Sequence, residues 1–161
     1  MKYQWRVSKY SPQNRDCNGS HLIDDWSSVS DIGRVYNGQK LTLSEYEKQE
    51  NDYIESIFEF MECAEINKLR IVEIENYIDE DKTNLNGIEN GMVLIKEQVA
   101  GVAKAVLREQ FWCKLELDNS FYVHFGYDYI MYIGLNRICE ETIRRVEQKN
   151  MYVELKKSPY I

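Results

Sequence analysis

Three consecutive segments in the second half of the chain carry the pattern of β-strands and constrain the fold more than any other feature. Apolar and polar residues alternate over residues 111–117 and 121–125, and residues 129–133 are apolar throughout. Turn-forming residues separate the segments at 118–120 and 126–128. Because period-two alternation places successive side chains on opposite faces of a strand, we predict an antiparallel meander. At least one of its faces must be buried by other elements.

Amphipathic segments can supply that cover. The clearest one, over about residues 43–66, starts with Thr42 and Glu45 at the spacing of a capping box, and its apolar residues recur every three or four positions. A second spans residues 96–110, and a third, shorter one follows Asn136.

Further strands are expected at residues 3–7, 68–78 and 152–155. The element order indicates an α+β fold, a single domain with about three helices packed on an antiparallel or mixed sheet centred on the meander, residues 111–133.

Two long segments read as loops. Residues 10–38 are rich in turn-forming residues but contain enough apolar side chains to wrap the domain as an ordered loop, with a short hairpin across Asn37–Gly38. Residues 79–91 form an acidic, Asn-Gly-bearing loop.

Charge and length narrow the class of protein. The 161 residues include 27 Asp and Glu against 20 Lys and Arg, a formal net charge of −7. This length suits one domain, and the acidic balance disfavours direct binding to nucleic acid or to anionic membranes. The longest apolar run, residues 129–133, is far shorter than the ~20 residues that cross a bilayer, and residues 1–6 lack a signal-peptide core. A cytoplasmic protein is therefore expected.

Cysteine and histidine spacing predicts neither disulfides nor a metal site. The four cysteines, at positions 17, 63, 113 and 139, form no Cys-x-x-Cys pair, so we expect four reduced thiols with mainly packing roles. His21 and His124 stand far apart, and no phosphate-binding glycine loop occurs, so no metal or cofactor is predicted.

Two groups of residues are candidates for binding a protein partner. Trp112 and Tyr122 share the face of the meander opposite the predicted core, and clustered aromatic residues are typical of interfaces, although an additional element could instead cover this face. The carboxylates Asp24 and Asp25, and the run Asp79, Glu80 and Asp81, lie in predicted loops. They are either ordinary solvated surface or an acidic patch that attracts a basic partner.

A small enzyme or ligand-binding domain is the alternative. His124 lies close in sequence to Asp128 and Tyr127, and a histidine oriented by a carboxylate is a common acid–base arrangement. The sequence contains no nucleophile motif such as Gly-x-Ser-x-Gly, so a structural histidine is the competing interpretation.

Three segments carry a resemblance to known sequences. Residues 5–12 (WRVSKYSP), 26–33 (WSSVSDIG) and 127–134 (YDYIMYIG) resemble uncharacterised small acidic proteins of Gram-positive bacteria. In size, acidity and element pattern the chain is also similar to immunity proteins, which neutralise a cognate bacterial toxin by binding it. That similarity implies a non-enzymatic inhibitor that occludes a toxin, for example a basic nuclease, and it assigns no site residues.

Overall fold

A seven-stranded antiparallel sheet with the strand order β5-β4-β6-β7-β8-β1-β9 forms the centre of the computed structural model, which describes residues 1–75 and 87–161. The strands are β1 (Tyr3–Ser8), β4 (Lys68–Glu75), β5 (Val93–Ile95), β6 (Trp112–Leu117), β7 (Phe121–Phe125), β8 (Ile130–Leu135) and β9 (Tyr152–Leu155), and a separate hairpin joins β2 (Val35–Tyr36) to β3 (Gln39–Lys40). The α-helices are α1 (Leu43–Cys63), α2 (Lys96–Leu107) and α3 (Glu140–Glu147). The predicted α+β class is confirmed.

The predicted meander is the middle of the sheet. Leu115 pairs with Val123, and Val123 pairs with Ile133, so these three side chains stand side by side on one face. All three are fully buried in a core that also contains residues of α1, α2 and α3. The helices therefore cover this face of the sheet, as the alternation requires.

Helix boundaries differ from the prediction at their C-terminal ends. The capping box of Thr42 and Glu45 starts α1 as expected, but α1 ends at Cys63 and α2 ends at Leu107, each three residues early. Shortly after each end a glutamate, Glu65 or Glu109, takes a left-handed conformation with φ near +57° and +58°. Left-handed termination is commonest at glycine, so these non-glycine ends left no signal in the sequence.

None of the helices in the described ranges has the length and apolarity that a membrane span requires.

The long N-terminal loop is ordered, as its apolar content predicts. The Arg15 guanidinium bonds the Glu154 carboxylate of β9 at 2.7 Å, and the Tyr10 hydroxyl donates to the Trp26 carbonyl at 3.2 Å.

Strand β5 was not predicted, because three residues are too few to show alternation. Residues 76–78 of the strand predicted over residues 68–78 lie outside the described ranges.

Two of the four cysteines form a disulfide, so the expectation of four reduced thiols is wrong. Cys63 at the end of α1 bonds to Cys139, the residue that precedes α3. The two are 76 residues apart in sequence, and only the packing of α3 beside α1 brings them together. Cys113 is a buried free thiol on the core face of β6, and Cys17 is free and exposed.

The other face of the meander is covered as well. Tyr122 is 3% exposed and His124 is 2% exposed, because the C-terminal segment, residues 156–161, crosses this face. Within that segment Tyr160 packs edge-on against Tyr132 and tilts against Trp112. The covering element follows the last strand and has no periodic pattern, so the sequence allowed for a cover over these aromatic residues but did not identify the segment that supplies it.

Gly134 provides a test of this packing. It pairs with Tyr122 across β7 and β8, and a Cβ atom at this position would overlap the Tyr122 ring. We expect Gly134→Ala to lower the free energy of unfolding by about 2 kcal/mol, the usual cost of overpacking a filled core. Gly101→Ala is the control, because a Cβ there contacts nothing and α2 should gain about 0.5–1 kcal/mol. Equal urea midpoints for Gly134→Ala and wild type would contradict the packing of Tyr122.

Candidate functional site

The turn between β7 and β8 is the most unusual piece of backbone in the structure. The Ile130 N–H donates to the Tyr127 carbonyl at 3.2 Å, and both central residues, Asp128 and Tyr129, have positive φ, at +56° and +61°. This is the type I′ pattern, in which glycine and asparagine are the usual residues. Aspartate tolerates the left-handed region, whereas a bulky tyrosine adopts it only when its surroundings enforce it.

Burial of the Tyr129 ring enforces this conformation. The ring packs edge-on against Trp26 and Tyr53, with centroids 5.0 and 4.8 Å away, and the Tyr53 hydroxyl donates to the Tyr129 carbonyl. Burial raises the pKa of Tyr129 well above its ordinary value, so the phenol stays neutral. With Tyr129 anchored, the turn holds the neighbouring Tyr127 out in solvent, where 80% of it is exposed.

Two pockets flank the turn. The first, which we call the aromatic pocket, has a volume of about 380 Å³ and lies between the end of α2 and the turn. Its lining is mainly apolar and aromatic: Val106, Leu107, Trp112, Phe125 and Tyr129. Its polar lining residues include Ser27, Glu109 and Asp128. Tyr127 also lines it.

The second pocket, which we call the loop pocket, has a volume of about 510 Å³ and is enclosed largely by the N-terminal loop. Its lining includes Arg6, Arg15, His21, Asp24 and Asp25. The two pockets are adjacent, because Ser27 and Asp128 line both. We refer to the solvent-reaching residues around them as the turn surface: Leu22, Ile23, Asp24, Glu109, Trp112, Tyr127 and Asp128.

The structure brings some of the predicted contact residues to the turn surface. Asp24 is exposed at the loop pocket, between β1 and the turn, and its neighbours Leu22 and Ile23 are 66% and 41% exposed. Trp112 is half-buried in the aromatic pocket, where its indole N–H donates to the Phe125 carbonyl at 2.7 Å. The sequence predicted Asp24 and Trp112 as contact residues, but in separate places: a loop for Asp24 and the face of the meander for Trp112.

Other predicted contact residues are engaged elsewhere. Asp25 accepts hydrogen bonds from the Lys9 ammonium group at 2.5 Å and from the Trp26 N–H at 2.8 Å, so it stabilises the loop. Tyr122 is buried beneath the C-terminal segment and donates to Gln4 at 2.8 Å. Asp79, Glu80 and Asp81 lie outside the described residues, so their role in binding stays a prediction.

His124 is the centre of a separate hydrogen-bonded chain. Its Nδ1 lies 2.8 Å from the Ser158 hydroxyl and its Nε2 lies 3.0 Å from the Glu116 carboxylate. Burial lowers the pKa of His124 although Glu116 acts in the opposite direction, so the imidazole is neutral near pH 7. The residue types are those of an acyl-transfer triad, but Ser158 is only 3% exposed, and its oxygen also accepts the Tyr160 N–H at 3.2 Å.

The alternative catalytic set does not share one site. Tyr127 and Asp128 line the aromatic pocket, whereas His124 lines a different depression together with Lys114, Glu116 and Tyr122. The antiparallel register sets Glu116 opposite Tyr122, so Glu116 is a diagonal neighbour of His124, and the short turn at 118–120 could have revealed this contact from sequence.

Glu109, Ser27 and Ser158 had no local signal in the sequence, because each reaches its site through tertiary packing. No group of three His, Cys, Asp or Glu side chains is placed to hold a metal ion within residues 1–75 and 87–161.

The fold and the turn surface together define an α+β protein with an aromatic, acid-rimmed surface at one end of its sheet. Protein-family models, curated proteins and solved structures give no match to this chain.

Proposed function

We propose that this protein is a non-enzymatic binding protein that holds a basic protein partner on the turn surface. The observation that carries the proposal is Tyr127, a large aromatic residue that is 80% exposed on a turn anchored by the buried ring of Tyr129. A tyrosine side chain has only two χ angles to fix and so loses little conformational entropy on binding, and tyrosine is enriched among the residues that dominate interface energies.

Charge selects the kind of partner. Asp24, Glu109 and Asp128 are exposed, and within the described residues none of them forms an ion pair. The chain carries a net charge of −7. Such a surface attracts a basic partner and speeds association with it.

The most specific form of the proposal is an immunity protein that acts in the cytoplasm and neutralises a cognate toxin, although a disulfide such as Cys63–Cys139 is commoner in oxidising compartments. A toxin that acts on nucleic acid has a positively charged site, and an acidic surface presents to that site the sign of charge that phosphates present. The resemblance to immunity proteins in size and acidity supports this form of the proposal.

A small enzyme is less well supported. The Ser158, His124 and Glu116 chain is its one favourable feature, but the Ser158 hydroxyl is covered by its own segment and cannot meet a substrate carbonyl in this conformation. The chain of hydrogen bonds instead fastens the C-terminal segment to the sheet.

The test begins with capture of a partner from a producing strain at low salt, followed by binding measurements on the purified pair. We expect Tyr127→Ala to weaken the complex about tenfold or more, mainly through faster dissociation, because truncating a central aromatic contact typically costs over 1 kcal/mol. Surface plasmon resonance measures the association rate and the dissociation rate separately. Unchanged dissociation of Tyr127→Ala would remove the turn surface from the interface.

A charge-matched pair of variants tests electrostatic attraction. Asp24→Asn with Asp128→Asn should slow association and reduce its dependence on salt. Glu55→Gln with Glu97→Gln changes the net charge equally at exposed helix positions, and we expect a smaller effect from it. For the immunity form, co-expression with the captured partner should rescue growth of a cell that the partner alone kills.

A further inference from the structure

The aromatic pocket combines two chemical features that are rarely found together on an ordinary surface. Its walls include the rings of Trp112, Phe125 and Tyr129, and Tyr127 stands beside them. Two carboxylates from different elements, Glu109 after α2 and Asp128 in the turn, also line it. Both acids are exposed to solvent.

These features exclude most occupants. A purely apolar side chain would fill the walls but would strip water from two carboxylates without replacing its hydrogen bonds. An anionic group would be repelled. A cation with a hydrocarbon stem fits both the aromatic lining and the two carboxylates. Its stem packs on the rings, its charge lies over their faces, and its N–H groups reach the carboxylates.

We propose that the aromatic pocket binds an arginine side chain of the partner, which extends the proposed function by naming what that partner inserts. Guanidinium is planar, stacks on aromatic rings and is less strongly hydrated than ammonium, and its several N–H groups can serve two acids at once. A volume of about 380 Å³ is near the lower end of ligand pockets, which run from about 300 to 1,000 Å³, so it suits one side chain rather than a large ligand.

The pocket is prepared for this occupant. The Trp112 indole N–H is already bonded to the Phe125 carbonyl, and Tyr160 packs against the ring at a centroid distance of 5.5 Å. Fixing the ring before binding lowers the entropic cost of the complex.

The protein uses the same chemistry elsewhere. The Lys9 ammonium lies 4.3 Å from the Tyr10 ring centroid and 4.2 Å from the Trp26 ring centroid while it bonds Asp25. That internal site shows a cation held between aromatic rings and a carboxylate in this same fold.

The test uses small probes and the complete protein, with no partner present. N-acetyl-arginine methylamide is titrated while the indole N–H resonance of Trp112 is followed by NMR. We expect a saturable shift of that resonance. The citrulline analogue has the same shape without the charge, and it should bind at least about fivefold more weakly, as loss of one charge-assisted contact predicts.

Variants locate the probe. Asp128→Asn and Glu109→Gln should each weaken arginine binding about two- to fivefold, whereas Glu97→Gln, at the opposite end of α2, should leave it unchanged. Absence of a saturable Trp112 shift, equal binding of citrulline, or tighter binding of the lysine analogue would each overturn the arginine proposal. These outcomes are separate from those of the proposed function, which is tested by capture of a partner and by the effect of Tyr127→Ala on dissociation of that partner.

Discussion

Replacing Cys63 and Cys139 with serine should lower the free energy of unfolding by about 4.5 kcal/mol. The disulfide closes a loop across a sequence separation of 76 residues and therefore restricts the unfolded chain strongly. Chain-entropy arguments give about 3 kcal/mol for a 15-residue loop and about 4.7 kcal/mol for a 100-residue loop, and this loop falls between them. Denaturant unfolding followed by circular dichroism measures the change.

Two controls isolate the effect of the bond. Cys17→Ser, which removes an exposed free thiol, should unfold at the wild-type denaturant midpoint. Wild-type protein treated with a reductant should have the same denaturant midpoint as the double serine variant. Agreement between the two assigns the effect to loss of the bond rather than to the change of side chain at Cys139, a position only 3% exposed. If oxidised and reduced wild type unfold at the same midpoint, the Cys63–Cys139 bond does not stabilise the fold.

Arg108→Met should cost about 3 kcal/mol of stability. Arg108 forms two hydrogen bonds, of 2.7 and 2.9 Å, with the carboxylate of Glu50, and this pair links α1 to α2. Glu50 is only 1% exposed. These bonds raise the pKa of Arg108 above its ordinary value. Removing one member of a buried pair leaves an uncompensated charge and typically costs about 3–5 kcal/mol. Lys104, 3.7 Å from Glu50 and half exposed, offsets part of that cost, so we place the effect at the low end.

A double-mutant comparison tests the reason for the loss. Glu50→Gln combined with Arg108→Met removes both charges and should be more stable than Arg108→Met alone. Arg144→Met is the control, because its partner Glu141 is 64% exposed in its side chain and such surface pairs contribute less than about 1 kcal/mol. If Arg144→Met and Arg108→Met have equal unfolding free energies, burial of Glu50 does not determine the effect.

Local patterns in the sequence determined most of the fold. Alternation predicted β6, β7 and β8, because a strand with a buried apolar face repeats its side-chain environment every two residues. The capping box at Thr42 predicted the start of α1, since both of its hydrogen bonds form within four consecutive residues. The acidic composition supplied the expected sign of charge of a partner, which stays a prediction.

Only the tertiary structure decided which residues meet. The Cys63–Cys139 bond, the cover that residues 156–161 place over His124, and the convergence of Asp24, Glu109 and Tyr127 on one surface all join segments distant in sequence. Spacing and periodicity report contacts within an element or between neighbouring elements. Contacts between remote segments depend on the packing of the complete sheet and its helices, and no local pattern of residues encodes them.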